Sequence, residues 1–169
     1  MEKIKVIIEN KQKTVRIPTG IRLLIRRCCH ATLALENFKG SAEIGVSIVN
    51  DDQIRRINNE YREVDSSTDV LSFPMGENGE FDKNPETGAY ILGDIVLSIE
   101  RAKEQSVQFG HSLQREVGYL VVHSVLHILG YDHVDGGLES VRMREKEEEI
   151  MASVGLPRGP LYVLSGNER

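Results

Sequence analysis

Disulfide staples are missing from this chain. Its only two cysteines, Cys28 and Cys29, are adjacent, with no third to bridge to them. A disulfide scaffold is therefore excluded, and the expectation is reduced thiols packed in the core of a cytoplasmic protein. Long hydrophobic runs are missing too. No stretch approaches the ~20 apolar residues that cross a bilayer. The start, Met1-Glu2-Lys3-Ile4-Lys5, has neither the hydrophobic region nor the small-residue cleavage site of a signal peptide, so no membrane partner is expected. There is no surplus of positive charge: the formal net charge is −5, which does not advertise a nucleic-acid binder. The distribution is less uniform. Residues 1–64 carry 12 Lys/Arg against 8 Asp/Glu, leaving 9 and 18 for the rest. A phosphate-bearing partner would meet the N-terminal part, although an uneven solvated surface explains the same numbers. Repeats, low-complexity tracts and dividing linkers are absent.

What the chain does have is a cluster of histidine. Three of its five histidines lie in Val122-His123-Ser124-Val125-Leu126-His127-Ile128-Leu129-Gly130-Tyr131-Asp132-His133. His123 and His127 are four apart in an apolar run. Four helical residues turn through about 400°, which stacks the two side chains on one face about 40° apart. Gly130 can take a positive φ and end the helix, so that His133 returns from outside it. Three neutral imidazoles with an open fourth position form a catalytic zinc pattern, whereas a structural site is usually closed by a fourth protein ligand. One histidine on an apolar face is ordinarily a core residue; three at this spacing are not. The spacing H-x3-H-x5-H is that of the long zinc-peptidase motif, but the glutamate base of that motif is replaced by Ser124. The residues therefore point to a metal-dependent hydrolase, away from a standard metallopeptidase.

The rest predicts one α+β domain over residues 1–169, a small mixed sheet packed by helices, with a zincin-like metal helix against the sheet. With 169 residues, 40% of them hydrophobic, the chain suits a single sizeable core. Strands are expected at 3–9, 42–49, 69–73 and 90–98, the third ended by Pro74 and the last with a possible bulge at Gly93. Helices are expected over 20–35, from Asn50 through Tyr61, over 99–109, from His111-Ser112 through the histidines, and over 138–152. Residues 75–89 are rich in turn formers and read as a long mobile surface loop, and 155–169 as a loosely held tail. Arg22, Arg26 and Arg27 could face a phosphate, but a solvated helix face is the commoner outcome. Glu116 shares the face of His123 two turns away, ~10 Å along the axis and too far for a direct ligand. His111, further still, reads as a surface or capping residue.

Four pieces of this sequence resemble the YbeY family of bacterial endoribonucleases. His123 to His133 is similar to the family's H-G-x-L-H-L-x-G-Y-D-H, with Ser124 for the usual glycine. Asn58 to Arg62 resembles N-x-x-Y-R, and Thr68 to Pro74 resembles P-T-D-V-L-S-F-P, with Ser67 for the leading proline. Leu92-Gly93-Asp94-Ile95 resembles L-G-D-I. The resemblance implies one zinc ion (Zn2+) held by His123, His127 and His133, an essential Arg62 and a pocket beside the metal. It also implies single-stranded RNA as substrate, with maturation of the 3′ end of the small-subunit rRNA precursor and ribosome quality control as the role. The small ribosomal subunit would be the partner, and the oligomeric state is left open. Arg62, on residues alone a salt bridge at a helix end, would be a fixed cation for phosphate. Asp132 would orient an imidazole or cap the turn. Asp69 and Asp94 are the candidates for the acid–base role that Ser124 cannot play, and Ser67 would loosen the loop after Arg62. Two other classes stay open: a non-catalytic ribosome-assembly factor with a structural metal, and, least supported, a peptidase.

Overall fold

The structure, a computed structural model, describes residues 2–131 and 137–157. Among these, four strands form one sheet in the order β1-β2-β4-β3. β1 (Ile4–Asn10) and β2 (Ala42–Val49) run parallel, joined through α1 (Ile21–Leu35), because parallel neighbours need a long crossover. β4 (Tyr90–Ser98) is parallel to β2, and β3 (Val70–Pro74) pairs antiparallel with β4 at the edge. An edge strand is where Pro74 is tolerated, since it cannot donate to a further neighbour. The bulge lies one residue from its expected place. The register passes from Glu43 opposite Ile91 to Ile44 opposite Gly93, so Leu92 is the extra residue.

Alternation in β2 puts Ile44, Val46 and Ile48 on one face with Leu92, Ile95 and Leu97 of β4. That face is covered by α1 and by α4 (Leu113–Ile128), with α5 (Leu138–Ser153) packed behind them. Ile21, Ile25, Leu120 and Leu126 are wholly or almost wholly enclosed there; burying such a side chain stabilises by about 1.5–3 kcal/mol. Gly118 permits the close approach of three helices. A β-carbon at that position would lie 3.3 Å from both Cys28 Sγ and Met151 Cε. The two thiols are core residues as expected, and burial pushes the Cys28 pKa up to about 12. A smaller cluster of Val49, Ile54, Leu71 and Val96 packs α2 (Asp51–Arg62) against the other sheet face.

Helix starts follow the expected chemistry. Asn50 accepts from the Gln53 amide at 2.9 Å while the Gln53 side chain accepts from the Asn50 amide at 2.8 Å, a reciprocal capping box. Ser98 and Ser112 cap α3 (Ile99–Phe109) and α4. Arg22 and Arg26 are solvent-exposed, whereas Arg27 reaches the Val154 carbonyl at 3.4 Å. The 75–89 segment is tied down at several points. The Ile91 amide donates to the Asp82 carbonyl at 2.9 Å, and Phe81 meets Phe38 edge-on with ring centroids 6.4 Å apart. Of the expected tail, only residues up to 157 are described.

Candidate active site

α4 is apolar on nearly every side because it runs through the interior, and its last two turns carry His123 and His127. Their Nε2 atoms approach to 3.0 Å, with ring centroids 4.5 Å apart. Each Nδ1 is engaged by an oxygen acceptor. That of His127 meets the Tyr131 carbonyl at 2.8 Å, where the chain turns back after Gly130 at φ 112°. That of His123 meets a carboxylate oxygen of Glu147. An acceptor at Nδ1 fixes the proton there and leaves the Nε2 lone pair on the other side of the ring. Two such lone pairs facing each other repel unless a proton or a cation lies between them.

Glu147 is 3% exposed and belongs to α5. Its second oxygen accepts from the Tyr119 hydroxyl at 3.0 Å, and the Tyr119 ring stacks on His123 at 5.9 Å. Sequence reading missed this residue. The available signal was its phase: Glu147 is four after Met143 and three and four before Ile150 and Met151, so it sits on the apolar stripe of its helix. Its neighbours Glu145, Glu148 and Glu149 hide it in a charge run.

The histidines open onto a cavity of about 730 Å³ between α4, α5, β3 and the end of α2. Arg62, Asp69 and Arg144 also line it. Arg62 ends α2, donates to the Ser72 carbonyl at 3.0 Å and lies 5.8 Å from the centroid of the Phe73 ring. Its described partner is thus a carbonyl, not the carboxylate of a helix-end salt bridge. Arg144, a second cation from α5, also escaped the sequence reading. Nothing from α1 lines the cavity among the described residues, so the Arg22–Arg27 patch lies apart from it.

The loop between Arg62 and β3 is pinned, contrary to the looseness expected from Ser67. Asn58 Nδ2 donates to the Ser66 carbonyl at 3.0 Å, and the Arg101 guanidinium donates to Ser67 Oγ, an acceptor that a proline would not supply. Asp94 does not join the histidines. It faces a separate groove of about 630 Å³ with Gly45, Tyr61 and Phe73, because alternation turns it away from the face shared by Ile95 and Leu97. His111 also corrects the expectation. Its side chain is only 8% exposed, and Nε2 lies 2.6 Å from Glu116, itself wholly buried. His133 and Asp132 lie outside the described residues, and the described ones bring no three His, Cys, Asp or Glu side chains together in a metal-holding group.

A buried helix presenting paired imidazoles to an open, arginine-lined cavity, on a four-stranded mixed sheet, defines an α+β protein suited to chemistry on anions. A sequence profile described as Endoribonuclease YbeY matches residues 7–155. The chain belongs to that family. A relative from Caldanaerobacter subterraneus subsp. tengcongensis named Endoribonuclease YbeY is 47% identical over 160 residues, covering 92% of this chain and 100% of the relative. One of the same name from Clostridium acetobutylicum is 42% identical over 166 residues, covering 90% and 99%. In fold, the chain is similar to the solution structure of TM1509 from Thermotoga maritima, with a TM-score of 0.58 and 20% identity, covering 98% and 99% of the two chains. No helix among the described residues is long and apolar enough to cross a membrane.

Proposed function

We propose that this chain is a zinc-dependent endoribonuclease that hydrolyses single-stranded RNA, acting in the cytoplasm on the rRNA precursor of the small ribosomal subunit. The observation that carries the reading is the 3.0 Å approach of the two Nε2 atoms, each with its Nδ1 held by an oxygen acceptor. Imidazole ligands at ~2.0–2.1 Å from a tetrahedral ion stand roughly 3.3 Å apart, so a small adjustment would admit one ion. His133 is the third ligand in this reading. The names of the relatives supply the RNA substrate and the nuclease activity.

Bound there, zinc would lower the pKa of a water toward ~7 and polarise a phosphoryl oxygen. The remaining work falls to the protein. Glu147 holds the His123 ring in one tautomer and one orientation, and the Tyr131 carbonyl does the same for His127. Arg62 and Arg144 neutralise phosphate and stabilise the charge that builds on its oxygens. The carbonyl of Ser72 fixes one edge of Arg62 and leaves the rest of the fork for substrate.

The test pairs metal analysis of the purified protein with a cleavage assay on single-stranded RNA and on the rRNA precursor. One zinc per chain is expected, with His123→Ala and His127→Ala each losing it and Arg62→Ala keeping it while losing cleavage. Full metal occupancy in both histidine variants would reject the ligand assignment. RNA binding without cleavage, with and without metal, would leave the non-catalytic assembly factor as the better reading.

A further inference from the structure

Gln105, on α3, has its amide nitrogen between two carboxylates. Nε2 lies 2.7 Å from Glu116 Oε2 and 3.2 Å from Asp69 Oδ2. An amide has two N–H groups, and this geometry directs one to each carboxylate. Glu116 is wholly buried, with its other oxygen on His111, so it anchors Gln105 from behind. Asp69 is at the front and lines the cavity shared with His123, His127 and Arg62. Its Oδ1 accepts from the Val70 amide at 2.7 Å and from Thr68 Oγ1 at 3.4 Å. Both of its oxygens are therefore oriented by donors, which is more restraint than a solvated loop carboxylate needs.

The geometry points to Asp69 as the carboxylate that moves the proton in this cavity and to Gln105 as the residue that positions it. The inference rests on the endoribonuclease reading and names the acid–base group that Ser124 cannot supply. As water adds to phosphorus, its proton passes to Asp69. The bond from phosphorus to the leaving ester oxygen then breaks, and Asp69 returns the proton to that oxygen. One water is consumed: its oxygen and second proton stay on the new phosphomonoester, which sheds that proton to solvent at neutral pH (second pKa about 6), and the carboxylate is regenerated. Glu116 and His111 stay inside the wall and act only through Gln105.

The experiment measures kcat and KM on single-stranded RNA for the wild type, Asp69→Asn, Gln105→Leu and the double variant, with zinc content and melting temperature alongside. Asp69→Asn keeps the side-chain shape, and a kcat fall of about 10²–10⁴-fold is expected, with KM and zinc content near wild type. Gln105→Leu should lower kcat by roughly tenfold in the wild-type background and by nothing further in the Asp69→Asn background, because a positioning residue has no effect once its charge is gone. A penalty that persists undiminished in that background would make Gln105 merely structural and overturn its role. If Gln105→Leu fails to fold, Asp69→Asn still decides the main claim. A wild type that cleaves beside an equally active Asp69→Asn overturns the inference alone. A wild type that cleaves no RNA overturns the endoribonuclease reading, and the inference with it.

Discussion

Glu116 and Glu147 are both buried glutamates, 0% and 3% exposed, and each meets a histidine. Their surroundings differ. Glu116 lies in the first turn of α4, where the helix dipole favours a negative charge, and its second oxygen goes to Gln105 inside the wall. Glu147 lies within α5 without that help, and its second oxygen takes a hydroxyl proton from Tyr119. The histidine on Glu116 is not among the described residues lining the large cavity, whereas the histidine on Glu147 is. Equal burial therefore serves two purposes. One carboxylate holds the wall together, and the other aims a ring.

The largest effect should come from the wall. Glu116→Leu removes the acceptor of two buried donors, at His111 and Gln105, while filling the space. Breaking a buried pair this way costs about 3–5 kcal/mol, read by urea unfolding at neutral pH. A loss below ~1 kcal/mol, the range of exposed pairs, would mean that Glu116 is not the anchor its burial implies.

Glu147→Gln tests the other half. The amide oxygen can still accept from His123, but the charge is lost. Removing such a partner typically weakens metal binding by ~10–100-fold, so a chelator competition should show zinc leaving the variant first. Glu145→Gln, two residues before it and solvent-exposed in the same charge run, should match wild type. Equal zinc affinity in both variants would erase the distinction between an aiming carboxylate and a solvated one.

How much of this was legible in the sequence follows the same division. The pairing of His123 with His127 is a helical-spacing fact, as are the Asn50 cap and the stripe of Met143, Ile150 and Met151, and all three are found. These depend on contacts within one element. The partner of His123 comes from another helix, 24 residues on. Alternation along β4 turns Asp94 away from Ile95, but the groove it then faces depends on its pairing with Gly45 and Phe73. Neither set of partners is fixed by a local spacing. His111 reads as a surface or capping residue from its distance to His123, whereas its side chain is only 8% exposed against the buried Glu116, a relation set by tertiary packing.

Ser124 gives the smallest and most discriminating effect. It stands on α4 beside His123, wholly buried, and among the described residues its hydroxyl meets no hydrogen-bond partner. A buried hydroxyl left unpaired costs about 1–3 kcal/mol of desolvation, and serine is a poorer helix former than alanine. Ser124→Ala should therefore raise stability by about 1 kcal/mol, a rise in melting temperature of roughly 2–4 °C for a chain of this size. Changes at Glu116 and Glu147 should cost stability or zinc affinity because their oxygens are matched; Ser124→Ala should gain because its oxygen is not. A stability loss in Ser124→Ala would show that a buried water or the Leu120 carbonyl satisfies the hydroxyl in solution, and the contrast between matched and unmatched groups along this helix would fall.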